Sequence, residues 1–267
     1  MTPDQLDFAA NELLQAEIKG EQIGLLSQRY PGMTLDDAYA VQSRLVAKKQ
    51  KLGRTVIGWK IGLTSRAMQM ALNIETPDSG VLLDDMLFPD KAVIPATRFI
   101  QPRVEAEIAF VMRSPLAGDC TRTDVLAATD YVTPAIEILD TRVMREDPKT
   151  GQTRIVTDTV ADNAANAGLV LGATQHSVME FDLRWIGAIV ARDGTVEETG
   201  LGAGVLNDPV LGVVWLARRM ASYNAGIEPG HIVLSGSFIR PLECPPGCRI
   251  DADFGPFGSV NVNFAAI

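Results

Sequence analysis

Val104-Glu105-Ala106-Glu107-Ile108-Ala109-Phe110-Val111-Met112 is the stretch on which fold and chemistry both turn. Its even positions are all apolar, the period-two pattern of a strand that lays one face on a core. Glu105 and Glu107 therefore share the opposite face, which continues as Ala109 and Val111 instead of staying polar. Alternate residues of a strand lie ~6.6 Å apart, so the two carboxylates can converge on one ion. A solvated face is the plainer reading of two glutamates alone. Beside alanine and valine, however, carboxylates are desolvated, and that requires a cation or a shared proton.

Pro134-Ala135-Ile136-Glu137-Ile138-Leu139-Asp140 repeats the setting, an apolar strand with one glutamate at its centre. The plain alternative is a lone buried acid paired with an arginine such as Arg142. Taken together, three oxygen ligands without His or Cys suit a hard cation that keeps water positions open, Mg²⁺ or Mn²⁺. In Val56-Ile57-Gly58-Trp59-Lys60-Ile61-Gly62-Leu63 the odd positions alternate to one face and Lys60 points the other way between two glycines. Glycines there let a ligand or backbone approach the ammonium, whereas an edge-strand lysine that blunts aggregation is the competing explanation.

Around these segments the texture is of short strands separated by Gly/Pro/Asp turns, near 55–63, 80–88, 104–112, 132–139, 167–172, 183–191, 195–201, 231–236, 248–254 and 258–264. Two helices interrupt them, opening at Thr121-Arg122-Thr123-Asp124 and at Asp208-Pro209. Before residue 55 the pattern is helical. Thr2-Pro3-Asp4-Gln5 and Thr34-Leu35-Asp36-Asp37 have capping-box spacing, and Gly20 and Gly53 can end the two runs. The expected class is α+β, a helical N-terminal lobe over 1–54 on a strand-rich catalytic body over 55–267, acting as one unit.

The chain has 267 residues with 24 Lys+Arg against 33 Asp+Glu, a formal net charge of -9. No basic cluster is large enough to displace the counterions of a nucleic acid, so nucleic acid is excluded as a partner. No run approaches the ~20 apolar residues of a spanning helix. The polar, acidic start is unlike a signal peptide. Cys120, Cys244 and Cys248 form no metal-knuckle spacing and read as reduced structural thiols, which fits a cytoplasmic protein. The absence of a G-x-S-x-G elbow and of GxGxxG after the first strand removes serine hydrolases and dinucleotide enzymes. Thr76-Pro77-Asp78-Ser79-Gly80, Asp162 to Gly168 and Ser235 to Pro241 look like site loops, though each is more often a hydrogen-bonded turn.

Gly58 to Ser65, Pro102-Arg103-Val104-Glu105-Ala106-Glu107, Asp162-Asn163-Ala164-Ala165-Asn166-Ala167-Gly168 and Gly236-Ser237-Phe238-Ile239-Arg240-Pro241 occur in that order in one family. The chain resembles, over essentially its whole length, the hydratase/decarboxylase branch of the fumarylacetoacetate-hydrolase-like superfamily. Gly236 to Pro241 and Asp147-Pro148-Lys149-Thr150-Gly151 look most like the branch that hydrates a seven-carbon diacid. The resemblance implies a mixed β-roll or sandwich body, homo-oligomers (pentamers or decamers), and Mg²⁺, or Mn²⁺, held by Glu105, Glu107 and Glu137. It implies that a 2-oxo-alkenoate diacid chelates the metal, that Lys60 moves a proton, and that Asp78 positions Lys60 or the water. Ser237 and Arg240 are expected to bind substrate, with Arg240 on the distal carboxylate. Decarboxylation of a six-carbon diacid, hydration of a five-carbon monoacid, and a non-catalytic assembly partner are the alternatives.

Overall fold

The computed structural model describes residues 1–66, 69–70, 76–116, 118–223 and 225–267. Two long helices, α1 (Pro3–Lys19) and α3 (Leu35–Lys51), flank the short α2 (Leu26–Arg29). Both expected capping boxes form: Thr2 with Gln5, and Thr34 with Asp37. Each satisfies backbone N–H groups that the first helical turn would otherwise leave unpaired. Gly20 stops α1 in a left-handed cap at φ 69°, a conformation glycine adopts without steric penalty. The apolar faces of α1 and α3 bury Leu6, Ala10, Leu13, Val41 and Leu45 together with Val143, Val160 and Ala161 from the body, so the lobe shares its core with the rest of the chain.

The body holds two sheets. The larger runs β2 (Asp78–Leu83), β1 (Val56–Gly62), β10 (Ile232–Leu234), β5 (Arg103–Met112), β6 (Thr129–Leu139), β7 (Asn166–Leu171) and β3 (Leu87–Phe88), with β11 (Leu242–Glu243) on one end of β5. The second runs β4 (Val93–Ile94), β13 (Ser259–Phe264), β12 (Arg249–Asp253), β8 (Gly187–Arg192) and β9 (Thr195–Leu201). Pairing is mixed: β1 with β10, β3 with β7 and β4 with β13 are parallel, the rest antiparallel. Helices α4 (Arg122–Ala128), α5 (Val156–Ala161) and α6 (Pro209–Ala221) complete the fold.

The alternation of β5 sorts two cores. Val104, Ala106, Ile108, Phe110 and Met112 share a core with Ile250, Ala252, Val260 and Val262 of the second sheet and with Phe254 just after β12. Each large side chain fully buried there contributes about 1.5–3 kcal/mol. Ala109, on the other face, joins Val81, Leu83, Ala135, Leu169 and Leu234. The larger sheet is rolled, because side chains from the start of β7 and the turn before it bond to β2. Asn163 Oδ1 accepts from Val81 N (2.8 Å), and the Asn163 and Asn166 side-chain amides donate to Val81 O (2.9 and 3.1 Å).

The strand expected over 80–88 is instead β2 and β3, separated by a 3-10 turn at Asp84–Met86 and paired with β1 and β7 respectively. Other features also depart from the sequence reading. The strand expected from 183 begins at Gly187, since Asp182 caps a 3-10 turn at Leu183–Trp185 by accepting from Arg184 N. Asp78 and Ser79 belong to a strand and not to a turn, because both pair with β1. Helix α5 was not anticipated. It is fixed by Asp158, whose carboxylate accepts from Ile155 N and from the backbone N–H and hydroxyl of Ser27. Gln42 donates to Ser79 O and Val160 O, and Tyr39 Oη accepts from Ser79 N. The helical lobe thus holds both the start of β2 and the wall carrying α5, two elements that reach the site described next.

Candidate active site

Register brings the three glutamates together. Antiparallel pairing sets Glu105 of β5 directly opposite Glu137 of β6, while Glu107 faces the small Ala135. One carboxylate oxygen from each of Glu105, Glu107 and Glu137 lies within 4.8 Å of the other two. Glu107 and Glu137 are fully buried, and Glu105 is half-buried. Gly236 N donates to Glu107 Oε2 at 2.7 Å. Glu107 Oε1 and both oxygens of Glu137 have no hydrogen-bond partner. Buried acceptors are nearly always paired. Three clustered carboxylates, two of them with unsatisfied buried oxygens, are the donor set of a hard divalent cation, with carboxylate-only chemistry that suits Mg²⁺ or Mn²⁺.

Burial, reinforced by the neighbouring Glu137, pushes Glu105 up to about 8. Burial also raises Glu107 well above the usual carboxylate range, and it raises Glu137 against the opposing pull of Lys60. Protons therefore compete with a cation for the cage. Dication affinity is expected to tighten steadily from pH 6 to pH 9, with protons released on binding. Calorimetry in buffers of different ionisation enthalpy measures that release, and an affinity independent of pH would contradict the cage. Because these folded-state values lie above the unfolded ones, the cation-free protein loses stability as pH climbs from the ordinary carboxylate range through about 8.

Lys60 lies on an interior strand, paired with Gly80 of β2 and Leu234 of β10, so the edge-strand explanation is excluded. Its Nζ sits 3.6 Å from Glu137 Oε1 and 3.8 Å from Asp78 Oδ1. Burial alone would lower its pKa, but the fields of Glu137 and Asp78 outweigh that and raise it. Asp78 pairs with Gly62 across the β1–β2 ladder, and burial raises its pKa while Lys60 draws it down. Gly62 is required at this point: a Cβ there would collide with Asp78 Oδ1 and stand 2.9 Å from Lys60 Nζ. Gly58 serves the backbone, since a Cβ would strike the carbonyl of Ile232.

Lys60, Asp78, Glu105 and Ser237 all line one cavity of about 580 Å³, which is within the usual size range of small-molecule sites. The Ser237 hydroxyl donates to Ile239 O at 2.8 Å and shapes the turn at the cavity rim. Arg240 is not brought in. Ile239 and Pro241 line the cavity, and Arg240 between them turns outward, its side chain 76% exposed and bonded to Glu198. Arg142 does not pair with Glu137 either, but with Asp162 and nearby carbonyls.

Two further contributors line the cavity, the first within the 162–168 stretch that the sequence marks as a site loop. Asn163, Ala164 and Ala165 are all left-handed (φ 51°, 52° and 61°), a conformation costing about 1–2 kcal/mol per residue. The Asn163 and Asn166 bonds to β2 and the Arg142–Asp162 pair hold the turn, which puts Ala164 and Ala165 on the cavity wall. Nothing in an Ala-Ala pair signals that geometry. The second is Arg154, on the wall that leads into α5. A larger depression of about 1060 Å³ against β8 and β9 is open and mostly apolar, and none of Glu105, Glu107 and Glu137 lines it.

Comparison with known proteins agrees with this geometry. No family model matches the chain. The chain is 51% identical over 256 residues to a 2-oxo-hept-4-ene-1,7-dioate hydratase of Escherichia coli, covering 96% of each. It is 41% identical over 265 residues to a 2-keto-4-pentenoate hydratase of Paraburkholderia xenovorans, covering 99% of this chain and 96% of that one. Among solved structures, 4-oxalocrotonate decarboxylase from Pseudomonas putida G7, complexed with magnesium and adipate, superposes with a TM-score of 0.93 at 34% identity, over 99% of this chain and 98% of that one. The rolled, carboxylate-bearing sheet, the helical lobe and these full-length similarities agree: the chain belongs to the family of 2-oxo-alkenoate hydratases and 4-oxalocrotonate decarboxylases that these relatives represent.

Proposed function

We propose that this protein is a Mg²⁺-dependent hydro-lyase that adds water to 2-oxo-hept-4-ene-1,7-dioate, or its 2-hydroxy-2,4-diene tautomer, giving 4-hydroxy-2-oxoheptane-1,7-dioate. The observation that carries the chemistry is the cluster of Glu105, Glu107 and Glu137 beside Lys60, with Lys60 and Glu105 opening onto the cavity. The identity to the Escherichia coli hydratase supports the seven-carbon diacid. Glu105, Glu107 and Glu137 would hold the cation, Mn²⁺ fitting the same oxygens. When bound, the cation polarises the 2-oxo group of the substrate as a Lewis acid.

The chain's own residues do the rest. Lys60 Nζ holds the proton delivered to carbon as water oxygen bonds to C4. Burial alone lowers the Lys60 pKa, and a dication in the cage would offset part of the carboxylate field that raises it. Asp78 keeps the ammonium on the cage side of the cavity. The turn at Ser237 and the left-handed turn at Ala164 and Ala165 narrow the cavity around the substrate. The exposed apolar side chains Trp185, Ile189 and Leu201, which share one depression, support assembly into a homo-oligomer, for which a pentamer or decamer in the cytoplasm is our reading.

The reading is tested by kcat/KM for the seven-carbon diacid against the five-carbon monoacid 2-hydroxypenta-2,4-dienoate. A preference of about 10–100-fold for the diacid is expected, the worth of one charged contact. Faster turnover of the monoacid would overturn the substrate, and loss of CO₂ from the six-carbon diacid as the main reaction would overturn the hydratase.

A further inference from the structure

A substrate with a carboxylate at each end needs two anchors. The cage accounts for one end, and the expected second anchor, Arg240, points to solvent. Among the described residues that line the cavity, Lys60 and Arg154 are the only cations. Lys60 is committed to Glu137 and Asp78.

Arg154 has a different situation. Its guanidinium makes one long hydrogen bond, from a terminal nitrogen to Val143 O at 3.4 Å, and no carboxylate among the described residues lies within ion-pair distance of it. The arginine nearest in kind, Arg142, is by contrast closed off by Asp162 and carbonyl groups. The backbone around Arg154 is pinned on both sides. Arg154 N donates to Arg145 O, Thr153 pairs with Glu146, and Ile155 N donates to Asp158, which is itself bound by Ser27. Asp158 and Asp162, whose charges act on it, are engaged elsewhere, Asp158 by Ser27 and Ile155 and Asp162 by Arg142. Burial depresses the pKa of Arg154 and the cations Arg103 and Arg142 add to that, while Asp162 and Asp158 oppose it. A guanidinium on a cavity wall, carried by a pinned backbone and with most of its donors unused, is able to take a carboxylate in bidentate fashion.

We propose that Arg154 receives the distal carboxylate of the substrate and thereby selects dicarboxylates over monocarboxylates. This rests on the reading of the site as one for 2-oxo-diacids. It also assigns to α5 and the strap before it a role in specificity, with the N-terminal lobe as the support that holds that wall.

The test uses full-length, Mg²⁺-loaded protein and two unreactive probes, 2-oxoheptanedioate and 2-oxoheptanoate, with binding measured by calorimetry. In Arg154→Gln the dicarboxylate is expected to bind about 10–100-fold more weakly, while the monocarboxylate is unaffected. Arg154→Lys should recover part of the loss, and Mg²⁺ affinity and melting temperature should match wild type. With the reactive diacid, KM rises in Arg154→Gln while kcat changes little. Equal weakening of both probes, or none of either, would overturn the role of Arg154. A wild type that binds and discriminates the two probes through Arg154 but hydrates no diacid would instead overturn the proposed reaction and leave the anchor standing.

Discussion

Lys60→Met is expected to lower kcat by about 10²–10⁴-fold, the usual worth of a positioned proton-transfer group, while Mg²⁺ still binds. Lys60 is the one ammonium among four buried or half-buried carboxylates, Glu105, Glu107, Glu137 and Asp78. Removing it takes away a positive charge that competes with the cation, so Mg²⁺ affinity should hold or tighten at pH 8. Lys60→Arg separates charge from proton transfer, because a guanidinium keeps the charge but does not release its proton near neutral pH. Both variants should be inactive. Substantial activity in Lys60→Arg would reduce Lys60 to an electrostatic role, and loss of Mg²⁺ binding in Lys60→Met would mean it is structural.

Glu137→Gln should abolish the response to the cation altogether. Glu137 is fully buried, both its oxygens lack hydrogen-bond partners, and burial raises its pKa. At a Mg²⁺ concentration 100-fold above Kd, wild type gains about 2.7 kcal/mol by mass action, roughly 5–10 °C in melting temperature for a chain of this size. The variant should gain almost nothing and show no turnover. Without cation at pH 8 it should melt at or above wild type, since one of several crowded buried carboxylates is gone and Lys60 keeps Asp78 as a partner. A variant that melts well below wild type without cation would show that the Glu137 charge stabilises the fold by itself.

The elements of the site differ in how far they could be read from residues. The shared face of Glu105 and Glu107 was legible because a strand's period is two and their neighbours Ala109 and Val111 are apolar. Their meeting with Glu137 depends on the β5–β6 register, a tertiary fact that no local pattern carries. Lys60 stood out by its glycines, yet only the structure shows that Gly62 clears space for Asp78 and that Gly58 clears a carbonyl. Asp78 looked like a turn residue because Pro77 precedes it, and pairing across to Gly62 overrides that signal. Arg240 was misplaced because the turn shaped by Ser237 aims Ile239 and Pro241 inward and sends the residue between them outward. The ties from Ser27 to Asp158 and from Gln42 to Val160 join residues more than a hundred positions apart, and capping or periodicity does not report such contacts.

The most direct measurement is the mass of the product formed from 2-hydroxyhepta-2,4-dienedioate by the Mg²⁺-loaded protein, with a parallel sample in EDTA. Gain of one water in the first sample and none in the second is the predicted result. Loss of CO₂, or water addition that persists at full rate in EDTA, would contradict a cation-dependent hydratase built on Glu105, Glu107 and Glu137.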